Sequence, residues 1–349
     1  MNSSPGVPYT SLGATNKVLF ESPANRGLIF SAVVERLRRI LSTDLDELMR
    51  MSSGEMVRAG LTDPIKVFVK SEPHKVSKIR DGKLRIISNV SIVDQLIERV
   101  LCSKQNQAEI RRWCELPSKP GMGLHDEGLQ ELYMEVNDRM REHTVVGTDI
   151  SGWDWLVKLW MLLSDARIRV QLYDTDENSA LGHCLMFRGW AVANKVFCLS
   201  DGSLLEQTVP GIQASGSYNT SSTNSRMRAL LAFIIGCIWV IVMGDDGVED
   251  YVPGARERYE RMGFVVKDYE IFAPGSFEFC STRFDGDWRG KPIQWLRTVY
   301  RYLSHSPASH SQNPGFKAQL LDDLRHLPEG QEILDKCDSI VELESKPCH

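Results

Sequence analysis

Cys237-Ile238-Trp239-Val240-Ile241-Val242-Met243-Gly244-Asp245-Asp246-Gly247 is the stretch on which the reading of this chain turns. An apolar run that ends in adjacent carboxylates needs a turn projecting into solvent or onto a cation. Gly244 and Gly247 flank the acids and permit the tight backbone that points both at one place. Taken alone, an ordinary Asp-Gly hairpin turn reads the same way. The wider apolar stretch, Leu230 to Met243, is short for a membrane span of ~20 residues. Gly236 and Cys237 divide it into a helix-like half and a β-branched half, which predicts a buried helix end followed by a buried strand.

The pattern recurs upstream. Val145-Val146-Gly147-Thr148-Asp149 is again a short apolar strand ending in aspartate, and Asp154 follows after the turn Ser151-Gly152. Two strand-end carboxylates side by side can hold a pair of hard cations through oxygen ligands. Such a pair, ~3.5–4 Å apart, stabilises both the attacking and the leaving oxygen of an in-line phosphoryl displacement. Asp149 and Asp245 are the primary candidate metal ligands and Asp246 a more peripheral one. Asp154 lies too far along its turn to bind metal directly.

Between these elements, Ser215 to Ser225 runs from a small-residue loop into a helix. Gly211 and Gly216 let the backbone come close to a ligand, and Asn219 is placed to cap the helix. Thr220, Thr223 and Asn224 fall on one part of that helix. A hydroxyl-rich helix start is a common capping arrangement. The functional reading is a platform for the sugar of an incoming nucleotide. There Asn224, Ser215 and Asp154 would read a 2′-hydroxyl, which both donates and accepts.

The net charge of −5 leaves no nucleic-acid footprint over the whole chain. Basic residues are concentrated locally instead. Lys66, Lys70, Lys75, Lys78, Arg80, Lys83 and Arg85 face only two acids, Glu72 and Asp81. A solvated loop is the ordinary explanation. Here the charges flank two alternating strands, Ile65 to Val69 and Leu84 to Ile87, so one face can pack while the other presents cations to phosphate. Arg85 and Lys70 are the first candidates for triphosphate contacts, with Arg80 and Lys83 next. Glu72 is read as holding one of these cations in place.

The apolar and charged fractions, 42% and 25%, fit a globular protein with one large multi-subdomain core or about two ordinary domains. No secretory signal is visible, so the Asn-x-Ser/Thr triplets at Asn2, Asn89 and Asn219 read as chance matches. The scattered cysteines show no zinc spacing and read as free thiols. His125-Asp126, after Gly121-Met122-Gly123, reads as a structural loop, and Trp153 and Trp155 as packing groups. Predicted elements comprise an extended loop to about Asn25 and helices over 28–48, 90–110, 155–173, 179–188, 254–262 and from about 219 to 235. They also include hairpins with turns at Asp201-Gly202 and 244–247, a strand at 264–266 and a hairpin over 277–288. The order predicts an α+β core, an antiparallel sheet with helices packed on one side.

Asp-x4-Asp, Ser-Gly-x3-Thr-x3-Asn-Ser and Gly-Asp-Asp, in that order, resemble motifs A, B and C of positive-strand RNA virus polymerases. Lys70 to Arg85 resembles motif F, which contacts the triphosphate, and Ser4-Pro5-Gly6-Val7-Pro8 resembles motif G at the template entrance. Lys267 fits the motif D lysine implicated in protonating departing pyrophosphate. Phe277 to Ser281 resembles motif E, which supports the primer end. Residues 66–101, 119–124 and 147–155 are similar to the sobemovirus and polerovirus polymerases and their invertebrate relatives.

The resemblance implies a right-hand α+β fold with an antiparallel palm, fingers and a short helical thumb. Residues 1–143 would be fingers and the start of the palm, 144–275 the palm with a fingers insertion at about 174–210, and 276–349 the primer-grip hairpin and thumb. It implies RNA-templated RNA synthesis with two Mg²⁺ or Mn²⁺ ions held by Asp149, Asp245 and Asp246. Expected partners are RNA template and nascent RNA, with Ser4, Pro5 and Gly6 at the template, and nucleoside triphosphates. A protein primer and other viral replication proteins are further candidates. No membrane span is expected, and the location would be host cytoplasm at membrane-associated replication complexes.

Motif G begins within a few residues of Met1, where such polymerases normally place a fingers segment first. The expectation is therefore a compact version or one lacking an N-terminal portion, which puts closure between fingers and thumb in question. A reverse transcriptase would carry Tyr-x-Asp-Asp and an aromatic screen at the sugar. A non-catalytic RNA-binding palm module, or a fragment needing an N-terminal segment, is the alternative of another class.

Overall fold

The structure is a computed structural model, described for residues 3–344 apart from 73, 75, 307, 308, 311, 312 and 314; Asn2, Lys75 and the final residues lie outside the described set. The chain turns helical earlier than the loop predicted to Asn25. Thr15 and Ser22 accept hydrogen bonds from the amides of Val18 and Asn25, starting α1 (Asn16–Glu21) and α2 (Pro23–Ser42). Pro23 sits at the start of α2, where a missing N–H costs nothing. α3 (Leu45–Leu48) and α4 (Ser53–Arg58) follow, the latter opened by a Ser52–Glu55 capping box. β1 (Ile65–Val69) leads through α5 (Val76–Arg80) to β2 (Ile86–Asn89), so part of the basic loop is a helical turn. Val69 lies opposite Ile86 and Lys66 opposite Asn89, as an antiparallel hairpin requires.

α6 (Ile92–Arg111) is followed by α7 (Asp126–Met140), which the sequence reading did not anticipate. β3 (Val145–Ile150) runs into the short α8 (Trp153–Leu156), separate from α9 (Leu159–Leu172) rather than continuous with it. α10 (Ala180–Ala193), β4 (Val196–Cys198), β5 (Leu204–Glu206) and α11 (Thr220–Ile235) come next. Gly236, at φ +110°, ends α11 where the division of the apolar stretch predicts. β6 (Val240–Met243) and β7 (Asp246–Asp250) form the expected hairpin, but Asp246 already pairs with Met243 and the turn is only Gly244-Asp245. α12 (Ala255–Arg261), β8 (Val266–Ile271), β9 (Ser276–Phe279), β10 (Thr282–Asp285) and β11 (Lys291–Pro292) precede α13 (Trp295–Leu303), α14 (Gly315–Leu324) and α15 (Gly330–Glu344).

The central sheet, in the order β6-β7-β3-β8, is antiparallel throughout. It carries helices on both faces, not one. Ile150, Val240, Val242 and Val266 pack on Met227 and Leu231 of α11 and Tyr259 of α12. Val145, Ile241 and Val248 pack on Leu129, Leu132 and Val136 of α7 and on the phenylalanines of β9 and β10. The cause is visible in β3, where Val145 and Val146 point to opposite faces and both are buried. A second sheet, β2-β1-β4-β5, pairs β4 parallel to β1 and so joins the 196–206 hairpin to the basic strands.

Beneath β3 and β7 lies a fully buried ion pair, Arg228 with Glu249 at 2.9 Å. The Tyr259 hydroxyl bonds both partners at 2.8–2.9 Å, and Arg228 also donates to the Thr148 hydroxyl. Charges this deep are tolerated only when each is matched. Glu249→Ala should therefore lower the unfolding free energy by about 3–5 kcal/mol. Tyr259→Phe should cost only about 1–3 kcal/mol. Urea denaturation measures both, and a Glu249→Ala loss smaller than that of Tyr259→Phe would contradict this account.

Candidate active site

Strand register places the carboxylates. Thr148 lies opposite Gly247, so Asp149 stands one residue beyond, level with Asp246 at the head of β7, and Asp245 occupies the turn above. Alternation sends the Thr148 hydroxyl down to Arg228 and Asp149 up into a cleft of about 260 Å³. Asp246, Lys267, Glu278, Cys280 and Gln294 share that cleft. Gly247 must be glycine because a Cβ would meet Arg228 and Thr148 at 2.9–3.0 Å. The turn is pinned from below, where the Gly244 amide donates to Ser225 Oγ of α11 at 2.8 Å.

Negative charge is in excess here. Burial raises the carboxyl of Asp246, and Asp245 and Asp149 push it further, to about 6. Burial and Asp149 likewise raise Asp245. Lys267 Nζ sits 2.7 Å from both Asp149 and Asp268, and these hydrogen bonds raise the pKa of its ammonium group. In kind and charge the three aspartates fit a hard divalent cation. As they stand, though, no three His, Cys, Asp or Glu side chains among the described residues are close enough together to hold one.

Asp154 and Asn224 meet as the sequence predicts. Asn224 Nδ2 donates to Asp154 Oδ1 at 3.0 Å, and its buried Oδ1 has no partner. Burial raises the Asp154 carboxyl. The rest of the expected platform does other work. Ser215 Oγ accepts from the Ser88 amide of β2 at 3.1 Å, and the Thr220 hydroxyl donates to the carbonyls of Ala214, Ser215 and Ser217. Thr223 bonds Asp165 of α9 rather than facing with Asn224. Asn219 makes no side-chain cap and instead accepts from Asn106. Gly211 and Gly216 serve chain-to-chain approach, not ligand approach, because their Cβ atoms would lie 2.5 Å from Val157 O and 2.0 Å from Ser88 O.

On the basic hairpin, Glu72 holds three cations rather than one: Lys70 at 2.9 Å, Arg85 at 3.0 Å and Arg297 of α13 at 2.8 Å. Despite burial of its carboxyl, these partners hold it down to about 2. Burial raises the carboxyls of Asp154 and Asp245, and the charge of Arg85 offsets a small part of that rise. Arg80 is exposed, and Lys83 pairs with Asp81 at 3.4 Å. Arg297 gives the hairpin a direct tie to the C-terminal helices, the contact that the sequence left in question.

Of the template stretch, Pro5 and Gly6 are buried against the start of α6, where a Gly6 Cβ would meet Ser91 Cα at 2.8 Å, while Ser4 and Val7 are partly exposed and Pro8 is exposed. Trp153 is buried and stacks on Phe264, but Trp155 is 56% exposed and is not a packing group. His125 caps α7, and Asp126 binds Arg325.

Sequence reasoning missed the support behind the sugar loop. Glu98 of α6 accepts from Ser217 Oγ at 2.7 Å and the Tyr218 amide at 2.9 Å, and is itself held by Arg188 at 2.8 Å. Arg188 and Arg36 also flank Asp94, overriding its burial and keeping it ionised. Asp94, Glu98, Gln105 and Glu109 recur four and seven residues apart on α6 and are all buried. That spacing was the available signal.

Residues 4–136 and 184–287 match the family described as viral RNA-directed RNA-polymerase. Across 99% of its length the chain is 41% identical to the RNA-directed RNA polymerase of Mushroom bacilliform virus and covers 84% of it. It is 43% identical, over 86% of its length, to replicase polyprotein P2AB of Southern bean mosaic virus, and 37% identical, over 95%, to Protein P1-P2 of Potato leafroll virus. It spans only 31% and 32% of those two proteins. The narrower resemblance to sobemovirus and polerovirus polymerases is thereby borne out. In fold the chain is similar to the RNA-dependent RNA polymerase of a human picorbirnavirus, with TM-score 0.61 and 15% identity over 81% of this chain and 57% of that one. Its architecture is the α+β right-hand polymerase fold, and the chain belongs to the viral RNA-directed RNA polymerases.

Proposed function

We propose that this chain adds ribonucleotides to the 3′ end of RNA on an RNA template, in the cleft at the head of β3, β6 and β7. The observation that carries this reading is the placement of Asp149, Asp245 and Asp246 at one end of the sheet, with the Asp154–Asn224 pair and Arg85 within electrostatic reach. Two divalent cations, Mg²⁺ or Mn²⁺, held by those three aspartates would supply charge stabilisation for the attacking 3′-oxygen and the leaving phosphates. Lys70 and Arg85, exchanging Glu72 for substrate, would bind the triphosphate, with Arg80 and Lys83 at the entrance. The Lys267 ammonium, charged beside Asp149, would give its proton to departing pyrophosphate. Asn224 and Asp154 would take the ribose 2′-hydroxyl, for which the unpartnered Asn224 Oδ1 is a ready acceptor.

The domain reading follows the sheets. Residues 1–143 form fingers and the start of the palm, 144–275 the palm, and 276–349 the primer-grip hairpin and thumb. The 174–210 insertion belongs with the fingers, a placement supported by the pairing of β4 with β1. The intact carboxylate set argues against a palm fold without chemistry.

Single-nucleotide extension tests the sugar assignment. Asn224→Ala should lower the ribo-over-deoxy ratio of kcat/KM by roughly 5–150-fold, the equivalent of about 1–3 kcal/mol. An unchanged ratio would reject it. The carboxylate assignment has its own signature in metal-free protein. An aspartate raised to about 6 binds its proton more tightly folded than unfolded, so stability falls as pH rises from about 4 to 6. Asp246→Asn should flatten that fall and raise the Tm at neutral pH. A variant whose Tm tracks the parent at every pH would contradict it.

A further inference from the structure

Lys195, between α10 and β4, is 3% exposed, and no carboxylate among the described residues pairs with it. Its ammonium donates instead to backbone carbonyls: Val192 O in the last turn of α10, Gly211 O at 2.8 Å and Ile212 O at 2.7 Å. The first suits a cation at a helix C-terminus. The other two belong to a strained segment, with Gly211 at φ +142° and Ile212 at φ +62°. Positive φ is costly for a β-branched residue and persists only where surroundings impose it. Burying a lysine among carbonyls, with the Phe197 ring 5.9 Å away and no carboxylate, is also unfavourable, and burial pushes its pKa down to about 7. Two costs in one place need an explanation.

The segment they hold leads directly to the sugar site. The Ile212 amide donates to Val157 O and the Gln213 amide to Asp154 O, each at 2.8 Å. These bonds fix the short helix that carries Asp154, whose carboxylate meets Asn224 at 3.0 Å. One residue further on, Ala214 O accepts from Thr220, and Ser215 Oγ accepts from β2. Gln207 is a second, half-buried anchor, donating to Gly211 O at 3.0 Å and Val209 O at 2.7 Å.

We propose that Lys195 is a positioning residue for sugar selection, its ammonium clamping the Gly211–Ile212 backbone so that Asp154 is presented to Asn224 and to the ribose. The proposal rests on the assignment of Asp154 and Asn224 to the 2′-hydroxyl. It assigns the N–H donors of Lys195 a task that the apolar stem cannot perform, so a residue of similar length without them separates the two.

The test is single-nucleotide extension by the full chain on a primed RNA template, comparing Lys195→Met, Asn224→Ala, their double variant and Gln207→Leu. Lys195→Met should raise KM for ribonucleotide about tenfold, with a much smaller change in kcat, because a sugar contact made alike in ground and transition states contributes to binding and not to the chemical step. It should also erode the ribo-over-deoxy ratio. The double variant should discriminate no worse than Asn224→Ala, because both act through one contact. Gln207→Leu should move the same ratio in the same direction by less, which keeps the proposal testable if Lys195→Met fails to fold. A ratio unmoved in Lys195→Met, or in Gln207→Leu where Lys195→Met is not folded, while Asn224→Ala loses discrimination, would overturn the proposal alone. Additive losses in the double variant would do the same. A ratio unmoved even in Asn224→Ala would overturn the sugar assignment and the proposal with it.

Discussion

Arg228 carries a full charge in the middle of the core, and its obligations set the geometry above it. Bonded to Glu249 on β7 and Thr148 on β3, it ties two adjacent strands to one helix. A slip of one residue between those strands would invert every side chain and leave two charges unmatched. The register that satisfies Arg228 is the register that brings Asp149 beside Asp246. The carboxylate arrangement is thus secured from below, by a fully buried ion pair.

α11 extends that logic. Four of its consecutive positions reach four different partners: Thr223 to Asp165 on α9, Asn224 to Asp154 on α8, Ser225 to the Gly244 turn, and Arg226 to Glu109 and Asp165. A rigid helix with such divergent contacts acts as a common reference for the Asp154–Asn224 pair and the carboxylate turn. The loop before it is held separately, by Glu98 and Lys195.

Much of this was legible in the sequence, and for a physical reason. Acids at the ends of apolar strands are costly unless they meet a cation, so Asp149, Asp245 and Asp246 stood out, as did the basic hairpin. The division of the apolar stretch at Gly236 was equally plain. What stayed hidden depended on distant partners. Asp94 and Glu98 look like surface residues until Arg188, far along the chain, is placed beside them. The glycines at 211 and 216 suggested ligand approach, whereas the approaching atoms are backbone carbonyls of other segments. The N-terminal helices were obscured by Pro5, Gly6, Pro8 and Gly13, all of which precede α1 and give the segment the look of a loop. α7 covers the second face of a sheet that was expected to be covered on one side only.

Ribonucleotide incorporation on a primed RNA template with Mg²⁺ or Mn²⁺, comparing the parent chain with a folded Asp245→Ala variant, tests the central claim most directly. The account predicts metal-dependent, template-directed extension by the parent and none by the variant. Extension retained by Asp245→Ala would contradict it, because the strand-end carboxylates would then not be the seat of the chemistry.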